Sequence, residues 1–200
     1  MFEWAQLVTI KRIIMKIVWL ISQQIGETAK LDMDALKQHT PTWGSCHIWG
    51  RFKVDNIICN NINTTRALVD RNIQKETNLF VPQKHITQLG NPPNLKGFQG
   101  EFKDTNINNK DDIIGLNIVT NMYDVILLVG FKFAKSKSNL KLEQHKQQAY
   151  IHNVQTIIKE NPDKQFVLVN QKGKLNAEFE ALENLSRDSL SNVLELISEI

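Results

Sequence analysis

The chain has little cysteine and none of the glycine signatures that mark the usual phosphate-binding loops. Cys46 and Cys59 are its two cysteines, with no CxxC pair and no close histidine repeat, so no metal site is expected from spacing. Two are also too few for a disulfide framework in 200 residues, and they read as reduced thiols of a cytoplasmic protein. No GxGxxG follows the first apolar segment and no GxxxxGK[ST] occurs, which excludes the conventional dinucleotide and P-loop sites. GxSxG and HExxH are absent too, excluding a standard α/β-hydrolase and a zincin. Charge of one sign is scarce: the formal net charge is +3 and the lysines are scattered, so a nucleic-acid partner is not expected. No apolar run is long enough to span a bilayer. With no internal repeat and no low-complexity linker, residues 1–200 read as one domain.

What is present is ordinary in bulk, with 42% hydrophobic and 22% charged residues, and the length suffices for a real core. Asparagine and isoleucine are over-represented, which reads as the imprint of an AT-rich coding sequence. The amino terminus places basic residues ahead of an apolar run, but Lys11, Arg12 and Lys16 interrupt it and no small-residue cleavage site follows. Met15–Ile21 reads instead as an opening strand. Residues 1–14 are expected to be a short amphipathic helix or an upstream extension.

The most informative segment is Asp111–Phe133. Ile113, Ile114, Leu116, Ile118 and Val119 repeat at helical spacing, and Asp124–Gly130 is then a nearly unbroken apolar run. A strand apolar on both faces needs cover on both sides, which places it at the centre of a helix-flanked parallel sheet. Other elements follow the same logic. Strands are expected at Asn56–Cys59, Asn78–Pro82 and Gln165–Asn170, the last clear strand, with an edge strand in Lys96–Lys103. Helices are expected at Leu31–His39, Asn63–Ile73, Glu143–Lys159, Leu175–Leu182 and Ser189–Ile197. Pro41–Asn56 reads as irregular and aromatic, and Ala134–Leu142 as a polar loop. The alternation predicts a three-layer α/β/α Rossmann-like sandwich with a mostly parallel sheet.

Ligands of such sheets bind beyond the carboxyl ends of the strands. Asn60 and Asn61 stand at one such end, where an amide can read a base or sugar edge or cap the next helix. Gly130 ends the central strand and offers either close backbone approach to a ligand or a small residue for the turn. Lys132, Lys135 and Lys137 follow it and could meet a phosphate or simply be solvated. His145 opens a helix facing the strand ends and is the candidate general base, against an exposed histidine; His152 reads as structural. His47 lies among Trp43, Cys46 and Trp49, a segment that could stack a ring or pack the sheet edge. A Cys46–His47 nucleophilic pair is discounted, because sequence neighbours rarely face each other.

Val125–Phe133, with Ile57-Ile58-Cys59-Asn60 and Leu79-Phe80-Val81-Pro82, resembles the bacterial sialyltransferase-like fold and the related archaeal pterin-pyrophosphokinase-like domains. That family places a helix and an IxLxGxDF strand at mid-sheet, after an earlier strand ending in Cys-Asn. The resemblance spans most of Lys16–Asn170 and implies a polar lid followed by a histidine general base, at about the place of His145. Lys132 replaces the family's acidic residue, and Ser22–Gly26 replaces its Gly-Asn-Gly-Pro-Ser phosphate loop. The resulting expectation is a nucleotide or nucleotide-sugar binding protein acting as a small glycosyltransferase-like transferase. In it His145 is catalytic, Asn60, Asn61, Gly130 and Lys132 contact the ligand, and the cofactor is unspecified. Its rival is a non-enzymatic interaction module, a homo-oligomer or partner complex formed through Trp43–Trp49. A hydrolase using Cys46 ranks third.

Overall fold

The structure, a computed structural model, describes residues 15–25, 30–99, 110–133, 140–170, 175 and 177–199. The expectations for residues 1–14, Gly26, Lys135 and Lys137 lie outside them. Eight strands form one sheet in the order β5-β4-β3-β2-β1-β6-β7-β8. They are β1 (Ile17–Ile21), β2 (Thr42–Ser45), β3 (Asn56–Ile58), β4 (Asn78–Pro82), β5 (Leu95–Phe98), β6 (Val125–Val129), β7 (Gln165–Val169) and β8 (Leu185–Asp188). Every neighbouring pair is parallel. Seven helices accompany them: α1 (Met33–Lys37), α2 (Ile62–Asp70), α3 (Gln83–Gln88), α4 (Lys110–Thr120), α5 (Lys141–Glu160), α6 (Ala177–Glu180) and α7 (Leu190–Ser198). The three-layer sandwich is thus the architecture, and the sheet is parallel throughout.

The period-2 geometry of a strand explains the layers. Along β1, Ile17, Trp19 and Ile21 join one core with α1, α2 and α7. Val18 and Leu20 join the other, with α4, α5 and α6. All five residues of β1 and all five of β6 are buried, as a two-sided central strand requires. Each buried Val, Leu or Ile side chain contributes about 1.5–3 kcal/mol relative to exposure. Helix α4 comes very close to the sheet. A Cβ on its Gly115 would lie 2.4 Å from Ile58 Cδ1 and 3.2 Å from Leu20 Cδ1, so glycine permits the approach.

Two expectations are corrected. Pro41–Asn56 is not wholly irregular: Thr42-Trp43-Gly44-Ser45 is β2, fully buried between β1 and β3. Gln165–Asn170 is not the last strand, since Leu185–Asp188 adds the edge strand β8 beside it. The other strands and helices expected among the described residues keep their type with shifted ends. The edge strand in Lys96–Lys103 is β5, and the helix after the polar segment begins at Lys141.

The amino-terminal ends of the strands are fastened by short polar contacts. Asp55 accepts from the Thr42 N–H at 2.9 Å and the Thr42 hydroxyl at 2.7 Å. Asp124 accepts from the Lys16 N–H at 3.0 Å and pairs with Lys164 at 3.3 Å, which holds its pKa below the ordinary value, mainly through the Lys16 bond. Among the described residues no helix is long and apolar enough to cross a membrane.

Candidate functional site

The strand ladders run one residue past β1, β2 and β3. Ser22 N–H donates to Val129 O at 2.9 Å, Cys46 N–H to Ile58 O at 2.8 Å, and Cys59 N–H to Phe80 O at 3.0 Å. Ser22, Ser45-Cys46 and Cys59-Asn60 are thereby brought side by side at the carboxyl edge of the sheet. The register pairing Ser45 with Ile58 sets Cys46 opposite Cys59. Helix α4 starts over this edge and contributes Asp111 and Asp112 from its first turn, where the helix dipole favours a carboxylate.

Asp111 accepts from Ser45 Oγ at 3.1 Å, from Cys46 Sγ at 3.4 Å and from Asn60 N–H at 3.2 Å. Asp112 accepts from Ser22 Oγ at 2.5 Å and Gln23 N–H at 2.9 Å. Ser22 Oγ in turn accepts from Gln24 N–H at 2.9 Å, so the loop after β1 is tied to α4 through one carboxylate. Neither acid takes part in an ion pair among the described residues.

Burial without a cation sets the electrostatics. Asp112 is pushed up from 3.8 to about 7, chiefly by burial and further by the Asp111 charge. Asp111 is also raised by burial, against the opposing pull of Cys46, Ser45, His47 and Asn60. The Cys46 thiol is pushed up by its hydrogen bond with Cys59, by burial and by the Asp111 carboxylate, while the same bond lowers Cys59. A buried, raised thiol is a poor nucleophile, which weighs against the Cys46 hydrolase. Tyr150, from α5, sets its buried hydroxyl near Ser22 and Asp112 without a hydrogen-bond partner; burial first and then the Asp112 charge raise its pKa.

The residues singled out from sequence divide. Asn60 joins the cluster through its backbone N–H. Asn61 caps α2, its side chain accepting from Asn63 N–H at 2.9 Å and Thr64 N–H at 3.1 Å. Asn61→Ala is expected to cost about 1 kcal/mol, a drop of roughly 2–4 °C in melting temperature. A thermal melt that leaves the variant unchanged would refute the capping role. Gly130 has φ 76°, and Ile25 of the β1 loop covers the face a Cβ would occupy. Lys132 is exposed, and its carbonyl accepts from Gln147 Nε2 at 3.0 Å. His145 and His152 are both exposed on α5.

In the aromatic segment, Trp43 is 1% exposed and its ring centroid lies 4.5 Å from that of Phe80. It is core, and no contact surface can use it. Trp49 is partly buried, with Lys53 Nζ 3.2 Å from its ring centroid. Cys46 and His47, discounted as a pair, do meet. A ligating atom from each, with one from Asp111, lies within 4.8 Å of the others, a grouping that spacing along the chain does not reveal because α4 supplies one member.

Ser22, Ser45, Asp111 and Asp112 were missed as site residues. The available signal was the acid pair opening an otherwise apolar helix. An open groove of about 430 Å³ lies at the opposite, amino-terminal edge, between Asp55, Gln74, Thr77 and Lys96. Asp55 and Thr77 there are engaged in structural hydrogen bonds, and open parallel sheets take their ligands at the carboxyl edge, which is therefore the better candidate. The chain matches no family model, no curated protein and no solved structure.

Proposed function

We propose that the protein binds a nucleotide or nucleotide sugar across the carboxyl ends of β1–β3 and acts as a small glycosyltransferase-like transferase. The observation carrying this reading is the gathering of Ser22, Ser45, Asn60, Asp111 and Asp112 at one edge of an all-parallel sheet. That is the edge at which open α/β sheets take ligands. Carboxylates and hydroxyls suit a ligand rich in sugar hydroxyls, and the Asn60 amide offers a donor and an acceptor to a base edge. The likeness of Val125–Phe133 and Ile57–Asn60 to strands of the sialyltransferase-like fold supports the same reading. His145, exposed near the start of α5, would remove the acceptor proton. With Gly130 covered by Ile25, positioning of the donor falls to Asn60 and the acid–hydroxyl pairs.

Nucleoside mono-, di- and sugar-diphosphates are the test ligands. At ten times its Kd, a binding nucleotide stabilises the fold by about 1.4 kcal/mol, a rise of roughly 3–6 °C in melting temperature. No shift with any of them would sink the proposal. His145→Ala is expected to abolish transfer while keeping the shift, which separates catalysis from binding. Of the two tryptophans in the interaction-module surface only Trp49 is not fully buried, and loss of an oligomer on Trp49→Ala would favour that alternative.

A further inference from the structure

Asp111 and Asp112 are buried at this edge, and no lysine or arginine among the described residues pairs with them. The donor set at this edge suggests what supplies the missing positive charge. We infer that Cys46, His47 and Asp111 form a binding site for a zinc-type divalent cation. The inference goes beyond nucleotide binding and does not depend on it.

The three ligating atoms lie within 4.8 Å of one another. Around a tetrahedral zinc with bonds of about 2.0–2.3 Å, ligand atoms stand roughly 3.3–3.8 Å apart. Cys46 Sγ and Asp111 Oδ2 are already 3.4 Å apart. The remainder falls to His47, the exposed member of the three. The other two donors are held in place: Ser45 Oγ and Asn60 N–H fix the Asp111 carboxylate, and the β2–β3 register fixes Cys46 beside Cys59.

One thiolate, one imidazole and one carboxylate favour zinc or cobalt over magnesium, which prefers all-oxygen octahedra. Binding would release the Cys46 proton, because a coordinating thiol is deprotonated. Three protein ligands leave a fourth position, the arrangement of zinc sites that take a water or ligand oxygen. Cys59 serves as the neighbour that aims Cys46.

Cobalt(II), added to the reduced full-length chain without nucleotide, is the probe. A thiolate-to-cobalt charge-transfer band and tetrahedral d–d bands should saturate at one equivalent. Cys46→Ser should remove the charge-transfer band. His47→Ala, at an exposed side chain, should weaken cobalt binding at least about tenfold with the melting temperature of the metal-free protein unchanged. Excess zinc should displace the cobalt and excess magnesium should not. The inference is overturned if the wild-type chain shows no such band, if the band survives Cys46→Ser, or if His47→Ala binds cobalt as tightly as wild type. The His47 result decides even if Cys46→Ser fails to fold. Because no nucleotide is present, a negative result here leaves the melting shifts of the nucleotide test standing by themselves.

Discussion

Gly130→Ala is expected to destabilise the fold by about 3 kcal/mol, the sum of left-handed backbone strain and overpacking. The residue sits at φ 76°, where a side chain costs about 1–2 kcal/mol. Its Cβ would also fall 2.7 Å from Ile25 Cβ and 2.9 Å from Ile25 Cα. The second of these is backbone and cannot rotate away, so the β1 loop must shift, at about 1–3 kcal/mol for an overpacked site. That loop holds Ser22 and Gln23 against Asp112, so the disturbance reaches the candidate site. Thermal melts should show a fall of roughly 6–12 °C. Gly130→Asn separates the two causes. Asparagine tolerates positive φ better than alanine but brings the same Cβ, so it should relieve part of the backbone strain and leave the overpacking against Ile25 in place. A wild-type melting temperature for Gly130→Ala would mean that Ile25 does not rest on the end of β6.

The second large effect is a pH dependence carried by Asp112. Its carboxyl titrates near 7 in the folded chain and near 3.8 when exposed, so between these values the folded state holds a proton that the unfolded state has released. Stability therefore falls as pH rises through this window, and it is fully present below about pH 4. The difference is worth about 4 kcal/mol at most, or roughly 8–16 °C between pH 4 and pH 8. Asp111, raised by burial, acts in the same direction. Asp124, lowered by its Lys16 contact, acts oppositely and only as pH falls through its depressed value. Melting curves of the metal-free protein, taken with chelator across pH 4–8, should show this slope. In Asp112→Asn, which has no charge to acquire, it should flatten; an equal slope in the variant would assign the dependence elsewhere.

Much of the architecture was legible because its central strands are apolar on both faces. Val125–Val129 could be nothing else once Ile113–Val119 had been read as a helix. β2 was not legible. Thr42-Trp43-Gly44-Ser45 has no apolar run and becomes a strand because β1 and β3 bury it from either side. β8 was hidden for the opposite reason: Leu185-Ser186-Arg187-Asp188 is an edge, half-exposed and polar.

The site was less legible than the fold. Its members are distant in sequence and meet only through register, as when Ser45 pairing with Ile58 sets Cys46 beside Cys59. Spacing rules presume that grouped side chains come from one turn or one hairpin, and they are silent on Cys46, His47 and Asp111, which the end of β2 and the start of α4 supply separately. Asp111 and Asp112 were not singled out in the sequence, although at 7% and 2% exposure both are buried.

The position of β1 also has a consequence for the order of synthesis. β1 pairs with β2 on one side and with β6 on the other, in a register joining Ile17 to Val125 and Ile21 to Val129. A chain emerging from the ribosome therefore completes β2–β5 while one edge of a fully buried strand waits for residues not yet translated. An unpaired apolar edge is a template for pairing with another chain, and such distant strand pairings close slowly. The central place of β1, which stabilises the finished sheet, makes the nascent chain dependent on whatever shields that edge until β6 arrives.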